Sequence, residues 1–463
     1  MRSLIIFLFV LTVSANAQEK ITNIKGSFGK LNHSFNVVDA ETGNFAIFLE
    51  GNNRLIGILF NKDFVELGRL DTPDLSSKFR SVIGYQFENK KISLLINTLN
   101  GRNYGWAQFD FQTGMGSSRE LDFKIKGERV IDAVNYNNTV YLFTLPTSSS
   151  QINIYNFKDM EQPVLTALKF EEEAFLDRRE RPQKLTDLVK ESKYATVEVD
   201  APNSLEVASA KFKFFQEDNI VILTADGANE FTYVININLE TFEKSVSRIE
   251  KPTTDGFRMG LRTNSFIYSN KLFQIVSNTN IFKLRVVDLA SNEILKEYSL
   301  TDDEELFIKN TPIVQEGGDL DSYRELETTN QFLRKSATGD IGLAVYKVNG
   351  IYQITMGSTA EKANPYLMIG GLGGIVGVIV VSSINQLTAS YANYNNTKSV
   401  KFTGLFNEKL DHIQGDVPKN PFDTLKTFLE ENEGQAETVF KMDDFFICGF
   451  YNNKEEVYSL YKF

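Results

Sequence analysis

One unit recurs along this chain, and it limits the folds open to it. Its clearest copy is Asn264–Leu300, NSFIYSNKLFQIVSNTNIFKLRVVDLASNEILKEYSL. The copy reads as four short strands, each rich in β-branched and aromatic residues and bounded by Asn or Ser. The third strand, turn and fourth strand recur at Arg54–Asp71, Trp106–Phe123, Gln151–Leu168, Tyr233–Glu250, Lys283–Leu300 and Ser399–Val417. A large apolar residue marks each turn: Phe60, Phe111, Phe157, Leu239, Leu289 and Phe406. Their separations are 51, 46, 82, 50 and 117 residues. Three match one repeat, and the two long ones read as one repeat plus an insertion.

A strand pair precedes most copies, at Phe35–Leu49, Val82–Thr98, Val130–Leu145 and Ile341–Met356. Turn residues punctuate these pairs: Glu88-Asn89-Lys90, Asn137-Asn138 and Asn349-Gly350. The last unit, Glu437–Phe463, ends one strand short, while Ile21–Phe28 is a spare strand near the start. Pairing the two closes a ring. Four strands every 45–50 residues or so is the mark of a propeller. The chain resembles a seven-bladed β-propeller in architecture, without the Gly-His and Trp-Asp signature of WD repeats or the paired glycines of kelch repeats. The expected fold is all-β: a single propeller over residues 18–463, closed by the N-terminal strand, with small helical insertions on one face.

Residues 1–17 read as a signal peptide. Arg2 supplies the positive charge, Leu4–Val13 the apolar stretch and Ala15-Asn16-Ala17 the cleavage site. Export follows, to the periplasm, the envelope or the medium. No Cys after the cleavage site supports a lipid anchor. The single cysteine, Cys448, lies in an apolar strand and is expected to be buried and inert. The charge of −11 argues against nucleic-acid binding, which needs a basic face.

Four segments break the repeat, at about 169–193, 301–336, 363–397 and 420–434. The first, with EEEAFLDRRERPQKLTDLVKESK, reads as two short charged helices broken by Pro182. The second carries Asp319, Asp321 and Glu325, but their spacing fits no calcium loop. The fourth reads as a helix with Asn420 as N-cap, Pro421 at its first position and Gly434 as its stop.

The third insertion is the most unusual. Ala363–Thr397 has no charged residue, and its centre is YLMIGGLGGIVGVIVV, Tyr366–Val381. As a helix its sixteen residues reach only about 24 Å, short of a bilayer core of about 30 Å. Five glycines disfavour a bare helix in water, so something covers it. Packing on the protein, and insertion into a membrane or partner, both stay open. The candidate contact residues are Leu367, Met368, Ile369, Gly370, Gly374, Ile375, Gly377, Val378 and Ile379.

No catalytic motif stands out. His33 and His412 are the only histidines, and both read as structural. No cofactor, metal or catalytic residue is assigned. The expectation is a binding or scaffold protein of the cell envelope that engages a protein partner or membrane surface through one propeller face. The alternative is a carbohydrate-active enzyme with carboxylates at the ring centre. Converging acids and aromatics at that centre would favour the enzyme, and a centre plugged by insertions would favour binding.

Overall fold

Asparagine and aspartate set the turns from which the sheets are built. In the first hairpins, Asn89-Lys90, Asn137-Asn138, Ser269-Asn270 and Asn349-Gly350 all have positive φ at both central positions. That is the type I′ geometry whose twist matches paired strands. Between third and fourth strands, a side-chain oxygen caps the loop. Asp288 Oδ1 accepts from the backbone N–H of Ala290 (3.0 Å) and Ser291 (2.9 Å). Asp110 does the same for Gln112 and Thr113, and Asn238 for Glu240 and Thr241. Each loop then closes through a residue of positive φ: Gly114, Phe242 or Asn292.

The computed structural model describes residues 18–51, 54–71, 78–98, 100–177, 179–189, 194–254, 260–317, 322–359, 380–381, 386–396 and 399–463. The signal-peptide expectation therefore lies outside the described residues. Within them, the strands form seven sheets of four or five strands, paired antiparallel except at Tyr194–Val197 and Val380–Val381. Sheet 1 is Leu31–Val38, Phe45–Gly51, Arg54–Phe60 and Glu66–Asp71. Sheets 2 to 5 begin at Phe79–Glu88, Glu128–Tyr136, Phe212–Glu217 and Arg262–Tyr268. Sheet 6 contains Asp340–Val348, Ile351–Thr359 and Ser399–Phe406, and sheet 7 begins at Gln435–Met442. The first strands lie side by side, as Arg262–Tyr268 does with Asp340–Val348 and Leu31–Val38 with Gln435–Met442. This serial packing is β-propeller architecture.

Sheet 7 draws its outermost strand from the other end of the chain. Glu19–Lys25 pairs antiparallel with Val457–Lys462, Glu19 opposite Lys462 and Lys25 opposite Val457. Sheets 7 and 1 then share a core of Phe45, Phe60, Phe440, Tyr458 and Leu460. Ser34 Oγ donates across the junction to the Ala436 carbonyl at 2.6 Å.

Sheet 6 departs from the repeat. Ser399–Val417 is expected to supply its third and fourth strands, but only Ser399–Phe406 is a strand. Beyond it there is a single bridge, Phe406 to His412. The fourth place belongs to Ile313–Gly317, with Ser322–Leu326 outside it, both drawn from the second insertion. The chain thus lays down the outside of sheet 6 before its inside. Lys401 fixes the pairing by meeting Glu316 at 2.6 Å. Asp319 and Asp321 lie outside the described residues.

The first insertion also differs from expectation. It holds one 3₁₀ turn, Glu172–Ala174, and one five-residue helix, α1 (Leu185–Val189). A bridge joins Leu176 to Pro182 around a loop in which Asp177 accepts from Arg181. Pro182 lacks an N–H and sits where a helix would need one, so the local ion pair shapes a loop instead. Short helices follow at α2 (Leu205–Ser209), α3 (Thr329–Ser336) and α4 (Gln386–Asn396). Last comes α5 (Pro421–Glu431), with Asn420 and Asp423 forming a reciprocal capping box.

Sheets 6 and 7 meet differently from the other pairs. The shared cluster there is Phe422, Leu425 and Phe428 of α5, Tyr391 of α4, and Val439, Phe446, Cys448 and Phe450 of sheet 7. No residue of sheet 6 belongs to it. Two helices, α4 and α5, pack on sheet 7 here. Cys448 is fully buried in the wedge, and burial pushes its thiol well up from the ordinary value.

Candidate functional site

The nine candidate contact residues, Leu367 to Ile379, lie outside the described residues. Their flanks are described. Val380–Val381 runs parallel to Ser81–Val82 on the first strand of sheet 2. From there the chain enters α4, where Thr388 Oγ1 both accepts from Val439 N–H (2.7 Å) and donates to Val439 O (3.2 Å). Val439 is on the first strand of sheet 7, so one threonine satisfies backbone groups that this strand leaves unpaired on its inner edge.

A second segment enters the centre. Tyr194–Val197 pairs in parallel with Phe212–Phe215, adding a strand inside sheet 4. The chain turns at Asp200 and returns through α2. Asn203 stabilises the turn by accepting from Glu198 N–H and donating to the carbonyls of Glu198 and Ala201. α2 crosses the first strands of sheets 5 and 6. Asn264 Nδ2 donates to Ser209 O (2.7 Å) and Ile341 O (2.8 Å). A Cβ on Gly342 would stand 2.8 Å from the Ser209 backbone, so only glycine permits this crossing. Among the described residues, Tyr194–Ala210 and α4 occupy the space within the first strands.

The incoming segment brings acids with it. Asp132, on the first strand of sheet 3, accepts from Ala133 N–H at 2.8 Å and from the Thr196 hydroxyl. Burial pushes its carboxyl up to about 6. Glu198 is pushed up to about 7 by burial, with repulsion from Asp200 and Asp132 adding to it. Burial likewise pushes the Tyr194 phenol up to about 12, while the Arg129 guanidinium over its ring (5.6 Å) pulls the other way. Burial thus shifts both carboxyls toward their neutral forms, so that they titrate close to neutrality instead of near pH 4.

A second charged group lies between sheets 4 and 5, and sequence reading missed it. Asp226 is buried, and both its oxygens are filled. Oδ1 meets Lys251 Nζ (3.0 Å) and the Thr232 hydroxyl (2.8 Å). Oδ2 accepts from the Ser265 hydroxyl (2.7 Å) and N–H (3.1 Å), with Lys213 Nζ at 3.4 Å. Burial alone would raise this carboxyl, but Lys251, Lys213 and Lys211 outweigh it and hold it far below the usual range. Lys213 also donates to Ala210 O and Asn264 Oδ1, both at 2.6 Å. The signal was present in KFKFF, where Lys211 and Lys213 alternate with phenylalanines in a strand.

The histidines sit apart from both groups. His412 Nε2 is 2.9 Å from Asn310 Oδ1, and burial lowers the pKa of both His33 and His412. No group of three metal-ligating side chains occurs among the described residues. No described helix is long and apolar enough to cross a membrane.

No family model matches the chain, and no curated protein matches it. Solved structures similar to it include the Dos1 propeller, at 8% identity and a TM-score of 0.29, covering 96% of this chain and 95% of that one. Another is Hsv2 of Kluyveromyces lactis, at 7% identity and a TM-score of 0.29, covering 90% and 93%. A prolyl endopeptidase structure matches at 10% identity and a TM-score of 0.37 over 91% of this chain. The chain spans about half the length of that endopeptidase, 47%. These scores are low, and the architecture rests on the chain's own sheet topology.

Proposed function

We propose that this chain is an exported binding or scaffold protein of the cell envelope. Each of the seven sheets is one blade, and Glu19–Lys25 closes the ring. A protein partner or a membrane surface docks on the face where blade-to-blade connections emerge, and the candidate contact residues within Leu367–Ile379 are the ones that would meet it. The observation that supports this reading is the filled centre: Tyr194–Ala210 and α4 pack inside the first strands of the sheets. The long connections share that side by strand alternation. The first insertion is tied there by Thr186 N–H to Ser149 O (3.2 Å) and by Lys184 Nζ to Ser148 Oγ (2.9 Å). Insertions gathered on one face are how repeat folds build a binding surface.

Fractionation of the native host tests the reading. The protein is expected in the envelope fraction, and Gly374→Asp with Val378→Asp is expected to release it with its β-sheet circular dichroism unchanged. Release of the native protein by alkaline wash marks a peripheral protein partner, and retention marks insertion in the membrane. A protein found only in the soluble fraction, with or without the substitutions, overturns the reading.

A further inference from the structure

Three lysines converge on one carboxylate between sheets 4 and 5, and they are not equivalent. Lys213 and Lys251 each touch Asp226. Each also has two further acceptors, Ala210 O and Asn264 Oδ1 for Lys213, and Ala228 O and Thr263 Oγ1 for Lys251. Three acceptors match the three protons of an ammonium group. Lys211 is the odd one. It immediately precedes the first strand of sheet 4 and, among the described residues, donates to the Thr263 carbonyl and forms no hydrogen bond with Asp226. Lys213 and Lys251 are fully buried, while Lys211 is part-exposed.

Two ammonium ions already share the single carboxylate. A third charge in the same partly desolvated space makes no ion pair among the described residues, and both desolvation and like charge disfavour it. We propose that Lys211 stands as a neutral, nucleophilic amine near neutral pH and is a modification site for small carbonyl electrophiles, aldehydes above all. Lysines are activated in this way beside other cationic groups. The Nζ lone pair attacks the carbonyl carbon, the C=O π pair moves to oxygen, and a nitrogen proton follows it to give a carbinolamine. Loss of the hydroxyl with the second nitrogen proton, as water, leaves a neutral imine.

The groups around Lys211 pull in both directions, and the balance is downward. Burial lowers its pKa first, Lys251 and Lys213 lower it further, and Asp226 and Asp340 oppose them, leaving it at about 7. Roughly half of Lys211 is then neutral at pH 7, against well under about 0.1% of an ordinary lysine.

Reductive methylation of the folded protein with formaldehyde and cyanoborohydride, read by peptide mass spectrometry from pH 6 to 10, tests this. Lys211 is expected to react at least about tenfold faster than the median lysine at pH 7, with a midpoint near that pH. The preference is expected to vanish in urea, and Lys211→Gln is expected to remove the fast-reacting peptide and no other. A Lys211 that reacts no faster than the rest, or only above about pH 9, overturns the proposal. Isotope-edited NMR of the singly methylated native protein reads the same titration without any substitution. A midpoint above about 9 there overturns it equally.

Discussion

The two junctions that flank sheet 7 are built on opposite plans. On one side, sheet 7 meets sheet 1 face to face, and a strand from the start of the chain is laid along its outer edge. On the other side, sheet 7 meets two helices, α4 and α5, and sheet 6 contributes nothing to the shared cluster. The first junction is joined by six paired residues between Glu19–Lys25 and Val457–Lys462, which tie the two ends of the chain into one sheet. The second is joined by side-chain packing around Phe422 and Phe428, plus the contacts of Thr388 with Val439. A ladder of backbone bonds must break as a unit, whereas a helix can lift away while sheets stay paired. From this contrast the helical wedge is expected to open before the strand junction.

The largest effect belongs to the strand junction. Deleting Gln18–Lys30 is expected to abolish cooperative folding or to lower the melting temperature by tens of degrees. It exposes the edge of Val457–Lys462 and removes Ile24 and Phe28 from the core. A truncated chain that melts like the full-length one breaks the comparison.

Next comes the wedge. Phe428 touches Phe450 (6.0 Å), Tyr461 (4.7 Å) and Phe463 (5.2 Å). Phe428→Ala is expected to cost about 3 kcal/mol by chemical denaturation, as large aromatic truncations do. Phe440→Ala, which loses its contact with Phe45 across the strand junction, is expected to cost a similar amount in global stability. Only the wedge variant should also speed proteolysis of the native state within α4 and α5.

Acid titration should affect both junctions alike, since Asp132 and Glu198 lie at the ring centre near sheets 3 and 4. Both carboxyls have folded pKa values raised above their unfolded ones, to about 6 and about 7. Their contribution to stability is complete below the unfolded values and is lost as pH rises through the folded ones. Stability is therefore expected to fall between about pH 4 and 7, by an amount on the order of 2 kcal/mol per group, and the melting temperature with it. Glu198→Gln should flatten its share of that slope. A melting temperature that rises over this window in the native protein contradicts the assignment.

The smallest effect is at the cap of α5. Asn420→Ala removes the side-chain oxygen that accepts from the Phe422 and Asp423 N–H groups, and the bond to the Tyr394 hydroxyl. It is expected to cost about 1 kcal/mol, read as faster exchange of the first amides of α5 and little change at the strand junction.

The sequence made one junction legible and hid the other. Counting strands left Glu437–Phe463 one short and Ile21–Phe28 spare, and pairing them needed only the repeat. Hairpins were legible because Asn-Gly and Asn-Asn turns carry their geometry in two residues. The outside of sheet 6 was hidden because Ile313–Gly317 and Ser322–Leu326 precede the strands they join, and periodicity says nothing about spatial order. The charged network was hidden for a related reason. Lys213, Asp226, Lys251 and Asn264 stand on separate strands or loops and meet only when sheets 4 and 5 face each other. The candidate contact residues within 367–379 rest on an uncharged apolar run and its glycine spacing, and they lie outside the described residues.

Native-state hydrogen exchange across the two junctions is the most direct test. The amides of Glu19–Lys25 and Val457–Lys462 are expected to exchange together, at the rate set by global unfolding, while α4 and α5 exchange earlier through a smaller opening. Exchange of Glu19–Lys25 ahead of the α5 helix would contradict a ring tied shut at its ends and wedged open-side by helices.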